Sequence, residues 1–198
     1  MVDMASRTTP SGASAARERL LRTASDLFYR EGIHAVGVDR IIAEAGVTRA
    51  TFYRHFPSKE DLVEAYLGVE DATIRGAFSR AREVTDEPRE LLGLVIEGLA
   101  DDVARLHTRG CPFINAAAEY PDPASAVRRA VGDHREWFRS ELEALLAAAD
   151  VDDPTTAAGQ LVLLRDAAMV GGYLDGWERV RPAFVTAATR TAGLVSRT

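Results

Sequence analysis

Residues Val38 to Phe56 read VDRIIAEAGVTRATFYRHF, and the reading of this stretch decides the fold. Gly46 stands near its centre. Glycine takes positive φ without a steric penalty, so it can end one helix and turn the chain sharply into the next. Val38, Ile41 and Ile42 offer apolar contacts before the turn, and Val47 and Phe52 offer them after it. Two short helices, roughly Val38 to Ala45 and Arg49 to His55, can then lock together as a helix-turn-helix, leaving the second with a free polar face. That face carries Arg49, Ala50, Thr51, Tyr53, Arg54 and His55, and Thr48 can cap its start. Such a helix is about 10 Å long, and its N-terminal end suits a major groove ~12 Å wide.

The side chains on that face suit nucleic acid. Arg49 and Arg54 can pair with phosphate or fork onto guanine O6 and N7. The Thr48 and Thr51 hydroxyls can bond a phosphate or a base edge, and the Thr51 methyl can touch thymine. Tyr53 carries a donor on a rigid ring, within reach of a backbone oxygen. Helix N-termini at Thr48 and Ser58 supply oriented N–H groups for phosphate, and Lys59, the only lysine of the chain, sits on the second. Spacing alone leaves open an amphipathic hairpin whose basic and aromatic residues merely cover a surface.

Working outward, helical signals dominate. From Ala15 to Glu31, Leu20, Ala24, Leu27 and Phe28 form an i, i+4, i+7, i+8 stripe that Gly32 stops. Ser58-Lys59-Glu60-Asp61 resembles a capping box opening a long helix to about Glu83. Further helices are predicted at 88–106, 113–119, 124–149, 155–178 and 182–195. Asp86-Glu87-Pro88, Tyr120-Pro121-Asp122-Pro123, Asp152-Asp153-Pro154 and Arg181-Pro182 separate them. No alternating β-branched run and no solenoid repeat occurs. The class is all-α, with about nine helices. Residues 1–12, rich in Ser, Thr, Gly and Pro, read as a disordered tail.

Composition narrows the function. The chain has 198 residues, 46% apolar and 27% charged, with a formal charge of −6. The apolar share allows a sizeable core and argues against wholesale disorder. No apolar run approaches the ~20 residues that span a bilayer, and Met1 to Ala16 lacks the apolar centre of a secretory signal. One cysteine, Cys111, allows no disulfide within the chain and fits a reducing cytoplasm. Residues 1–59 hold nine basic against six acidic side chains, and the remainder fifteen against twenty-four. A basic head on an acidic body suits a polyanion partner for the head alone. His34, His55, His107 and His134 show no metal spacing. With no phosphate loop, serine elbow or zincin motif, neither a cofactor nor an enzyme is expected.

Several pieces combine in the first third of the chain. They are Leu27-Phe28 followed by Gly32, Val38-Asp39-Arg40-Ile41, Ala45-Gly46-Val47-Thr48, Thr51-Phe52-Tyr53-Arg54-His55-Phe56 and Ser58-Lys59-Glu60-Asp61-Leu62. With them, residues 15–67 resemble the DNA-binding domain of the TetR (tetracycline-repressor-like) family of transcriptional regulators. The resemblance implies a homodimer whose recognition helices dock in successive major grooves. It implies base or phosphate contacts from Thr48, Arg49, Ala50, Thr51, Tyr53 and His55, and a phosphate contact from Lys59. The family usually carries Thr or Ser about where Val36 and Gly37 stand. Gly37 is therefore counted among the DNA-binding positions without a capping hydroxyl, a difference of a few tenths of a kcal/mol. Ile42 replaces a residue that is usually small.

The resemblance divides the chain into residues 13–62, the DNA-binding domain, and 63–198, a helical ligand-binding and dimerisation domain. The last two long helices are implied to form the dimer interface. Ala168, Gly172 and Gly176 recur there every four residues, as close helix approach requires, the alternative being a helix break at Gly171-Gly172. A ligand pocket is expected among Phe113, Asn115, Glu119, Trp137, Phe138, Tyr173 and Trp177, aromatics with a few polar groups. Trp137 and Phe138 also fit an apolar core stripe with Val127, Val131, Leu142 and Leu145. Cys111 reads as a small buried apolar residue, with redox sensing as its alternative.

The reading is a cytoplasmic homodimeric repressor of a near-palindromic double-stranded DNA operator, without a membrane partner. Its recognition helices lie about 34 Å apart, and a small-molecule effector releases it. The alternatives are an effector-independent activator or architectural DNA binder, and a helical small-molecule-binding protein with a vestigial head.

Overall fold

The computed structural model describes residues 12–105 and 107–194. Among them stand nine α-helices and no strand: α1 (Gly12–Glu31), α2 (Val38–Ala45), α3 (Arg49–His55), α4 (Lys59–Val84), α5 (Pro88–Arg105), α6 (Pro112–Glu119), α7 (Ala126–Ala148), α8 (Pro154–Asp175) and α9 (Trp177–Thr191). The all-α reading holds. The tail expected over residues 1–12 lies outside the described residues except for Gly12, which opens α1. Leu106, the expected end of α5, lies outside them too. The chain divides into two compact units between Tyr66 and Leu67.

The first unit packs α1, α2 and α3 around one small core. Leu20, Ala24, Leu27 and Phe28 of α1 are all buried, as their spacing predicts. Ile41 of α2 and Phe52 of α3 are fully buried against them. Aromatic contacts extend this core, with Phe52 and Phe56 ring centroids 6.2 Å apart and Phe28 and Tyr66 5.9 Å apart. Arg40 fastens α2 to the end of α1: its Nη1 and Nη2 donate to Glu31 at 2.5 and 2.9 Å, while Nε donates to Glu44 at 2.8 Å.

In the second unit α8 packs against α5, α7 and α9, and α6 lies on α7. Asp153 caps α8 by accepting from the Thr156 N–H at 3.1 Å, with Pro154 in the first turn. Ser125 caps α7 in the same way through the Arg128 N–H at 3.2 Å.

One predicted boundary is corrected. Arg181-Pro182 does not separate the last two helices. The break falls at Gly176, whose φ of +88° ends α8, and Pro182 lies inside α9. Proline there forfeits one intrahelical bond near the helix start, and its fixed φ is compatible with the helix. Gly171-Gly172 does not break α8 either. A Cβ at Gly172 would stand 2.8 Å from Val103 Cγ1, and one at Gly171 3.1 Å from Val180 Cγ2. The two glycines thus allow α5 and α9 to approach α8 closely within one chain.

Candidate nucleic-acid interface and effector cavity

The turn between α2 and α3 forms as its residues dictate. Gly46 takes φ +62°, ψ +43°, the left-handed conformation that glycine tolerates. Its N–H and that of Val47 each reach back to a carbonyl of α2, at Ala43 and Ile42, both at 3.2 Å. Thr48 then caps α3, its Oγ1 accepting from the Thr51 N–H at 3.1 Å and lying 2.9 Å from Thr51 Oγ1. Ser58 and Asp61 make the capping box that opens α4. The Asp61 N–H donates to Ser58 Oγ at 3.1 Å, and the Ser58 N–H to Asp61 Oδ2 at 2.8 Å. Gly37 precedes α2 in extended conformation, with no side-chain cap.

Burying Phe52 fixes the rotation of α3. Arg49, Ala50, Tyr53 and Arg54 are left exposed, with Thr48 ahead of them, and Thr51 and His55 half-buried. Tyr53 packs its ring edge-on to Phe52 at 5.1 Å and is 45% exposed, so its phenol projects from a braced ring. The Arg49 guanidinium pairs with Asp39 of α2. His55 Nε2 is buried and has no hydrogen-bond partner. Lys59, in the first turn of α4, holds its ammonium 5.9 Å from the Phe28 ring centre. The cap and the surface of α3 together therefore carry two guanidiniums, two hydroxyls and a phenol.

The second unit holds a cavity of about 270 Å³ between α4, α5, α7 and α8. Ile74, Phe78, Leu94, Val95, Leu99 and Phe138 make most of its wall, and Arg80, Asp101, Asp102 and Arg165 supply the charge. Phe138 is the expected pocket residue that lines it. Phe113 is buried and stacks on His134 with ring centroids 3.7 Å apart. Trp137 lies between Phe78 and the Arg75 guanidinium, which sits 4.0 Å from the indole centre. Asn115 donates to the Arg109 carbonyl at 3.3 Å, and Glu119 is half-buried near the end of α6. Tyr173 is 53% exposed, and Trp177 packs near Phe184.

Sequence reasoning missed Arg165, although its signal was present. Leu161, Val162, Arg165, Ala168 and Met169 form one buried stripe of α8, and an arginine stands at a core position of it. Its Nη1 donates to Cys111 Sγ at 3.1 Å. Cys111 is buried at the start of α6. Burial works against the Arg165 charge, while Cys111, Asp166 and Asp102 favour it and raise its pKa overall. Beside the cavity, His107 bridges two carboxylates, Asp102 at 2.8 Å from Nδ1 and Glu70 at 3.1 Å from Nε2. Burial lowers its pKa, but the two bonds outweigh burial and push it up to about 9. Among the described residues no group of three or more histidine, cysteine, aspartate or glutamate side chains is arranged so that it could hold a metal ion, and no helix is long and apolar enough to cross a membrane.

The family model described as bacterial regulatory proteins of the tetR family matches residues 20–66. A crystal structure of SCO4454, a TetR-family transcriptional regulator from Streptomyces coelicolor, superposes with a TM-score of 0.88 at 46% identity, covering 93% of this chain and 97% of that one. The transcriptional activator FasR of Mycolicibacterium smegmatis is 34% identical over 85 residues, 43% of this chain and 39% of its own. The repressor KstR2 of the same organism is 32% identical over 84 residues, 42% and 41% of the two chains. The chain spans about half the length or less of these curated relatives. The match to SCO4454 runs nearly end to end, at an identity well above chance. With a helix-turn-helix presented as the family requires, the chain belongs to the TetR family of bacterial transcriptional regulators.

Proposed function

We propose that the protein is a homodimeric repressor that holds an operator through the exposed face of α3 and releases it when a small molecule fills the second-unit cavity. The observation that carries this reading is the α3 face, with Arg49, Tyr53 and Arg54 exposed on a helix locked by Phe52 and the Thr48 cap. Arg49, Thr51 and Tyr53 read the groove. Thr48, Ala50, Arg54, His55 and Lys59 set position against it, together with the backbone at Gly37. The similarity to a named repressor supports the direction of control, and the similarity to a named activator gives the second reading.

A second copy fits the surface of α8 and α9. Leu163, Val170 and Leu174 are exposed apolar residues, Leu163 and Leu174 by about two thirds. With Ala167 they fall at i, i+4, i+7 and i+11, one face of α8. Beside them a shallow groove runs along Ala167, Gly171, Val180, Ala183 and Ala187. Small residues let another helix come close. Of the three positions expected at the interface, Ala168 is buried, Gly172 faces Val103 and Gly176 forms the helix break. The neighbouring exposed stripe of Leu163, Ala167, Val170 and Leu174 suits the partner better.

Release from the operator is a shift between two states. Moving occupancy from 99:1 to 1:99 takes an effector that prefers the released state by about 5.5 kcal/mol. A cytoplasmic regulator of this kind has no call for catalytic groups. A promoter–reporter fusion carrying the flanking DNA of the gene tests the reading. Expression rises when the gene is deleted if it encodes a repressor, and falls if it encodes an activator.

A further inference from the structure

Arg165 enters the cavity from α8 while almost fully buried. Its Nε has no hydrogen-bond partner. Its Nη1 donates to a thiol, a weak acceptor, and at 3.4 Å to Asp166. Asp166 in turn accepts a shorter bond, 2.8 Å, from Arg135. Asp102 of the cavity wall is engaged with His107 Nδ1 at 2.8 Å. A buried charge is stable when its donors are met, and a donor left unmet in an apolar interior costs its full desolvation. Arg165 thus stands in the cavity wall with donor capacity unmet, and most of the remaining wall is hydrocarbon.

We infer that this cavity takes a small apolar monocarboxylate, with its anionic head on the Arg165 guanidinium and its hydrocarbon body between Ile74, Phe78, Val95, Leu99 and Phe138. The inference rests on the reading of this cavity as the effector site. A carboxylate matches the forked donors of a guanidinium. A phosphate dianion fits less well, because Asp101 and Asp102 line the same wall, Arg80, the other guanidinium there, is exposed to water, and the buried Arg165 alone leaves several phosphate oxygens unmet. The volume sets the size. About 270 Å³ lies just below the ~300–1,000 Å³ of pockets for drug-sized ligands, so the body is a medium chain or a single ring.

Isothermal titration of the full-length protein with octanoate, octanamide and octylamine tests this. The three share a chain and differ in head charge. Octanoate is expected to bind one molecule per chain, and the amide and the amine at least tenfold more weakly. Arg165→Met is expected to weaken octanoate at least tenfold and leave octanamide unchanged, and Arg165→Lys to fall between. Met fills much of the same space, and replacing a buried ion by an apolar residue is often tolerated. Thermal unfolding verifies that each variant is folded, and the comparison of heads on the wild type decides the matter if Arg165→Met does not fold. Gly98→Leu places a side chain where Gly98 has open space on the cavity wall, and is expected to block all three. Equal binding of the amide or the amine, octanoate affinity indifferent to Arg165, or no saturable octanoate binding at millimolar concentration overturns the inference. If octanoate binds through Arg165 but leaves operator affinity unchanged, the ligand class stands and the effector reading fails.

Discussion

Arg49, the first residue of α3, is bound through its guanidinium to the carboxylate of Asp39, the second residue of α2. Both are well exposed, 60% and 79%, so the pair adds little stability; exposed pairs contribute ~0.2–1 kcal/mol. Its effect is on aim. The carboxylate holds the guanidinium beside the turn and places a negative charge on the surface proposed to face the phosphates. Asp39→Asn is therefore expected to tighten binding to random DNA several-fold and to narrow the ratio between operator and random sequence. Fluorescence anisotropy on both duplexes measures that ratio, and an unchanged ratio contradicts the role.

Thr48 and Thr51 separate capping from reading. Thr48→Ala removes the acceptor for the Thr51 N–H and is expected to lower stability by about 1 kcal/mol, as N-cap losses do. Thr51→Val keeps that backbone bond and loses only the exposed hydroxyl contact to Thr48 Oγ1, so the unfolding transition should move less than for Thr48→Ala, while operator binding weakens more than random binding. Urea denaturation paired with anisotropy distinguishes the two.

Lys59 and Tyr53 differ in what they lose. Lys59→Ala is expected to weaken binding to every sequence and to shallow the salt slope by about one. Tyr53→Ala should reduce operator binding more than random binding, with a smaller change in slope. Titrations across a series of salt concentrations read both quantities.

His107 gives the second unit a pH signature. Its folded pKa of about 9 lies above the ~6.5 of an unfolded histidine. The protonated form is thus favoured by folding. This stabilisation is fully present below about pH 6.5 and is lost as pH rises through about 9, by on the order of 3 kcal/mol. The stability difference between wild type and His107→Gln should shrink over that window. Denaturant midpoints measured between about pH 6 and pH 10 test the slope, and a difference that grows with pH contradicts it.

Gly172→Ala probes the helix approach inside the chain. The added methyl would meet Val103 Cγ1 at 2.8 Å, and a β-branched side chain gives way poorly. A loss of about 1–3 kcal/mol is expected, as for overpacked cores. Val103→Ala in the same chain should recover part of it, which a double-mutant cycle measures.

The head was legible because its determinants are local. Gly46, Thr48 and the Ser58–Asp61 box each act within a few residues, and the spacing of Leu20, Ala24, Leu27 and Phe28 reports one buried face. Pro182 misled because a proline near a helix start removes one bond without ending the helix, while Gly176 carried the true break. The cavity was the least legible part. Its wall gathers side chains from four helices far apart in the chain, and of the aromatics expected there Phe138 alone belongs to it. The repeat of Ala168, Gly172 and Gly176 reported close packing, but at Gly172 the neighbour is Val103 of the same chain. The exposed stripe of Leu163, Val170 and Leu174 needed knowledge of which α8 face the core leaves bare.

Selection of binding sites from random double-stranded DNA by the full-length protein tests the central claim most directly, followed by sedimentation of the winning duplex with protein. The account predicts an inverted repeat with half-sites one helical turn apart, two chains per duplex, and loss of the enrichment in Arg49→Ala and Tyr53→Ala. The absence of any enriched sequence, or an enriched sequence bound equally well by both variants, would contradict it.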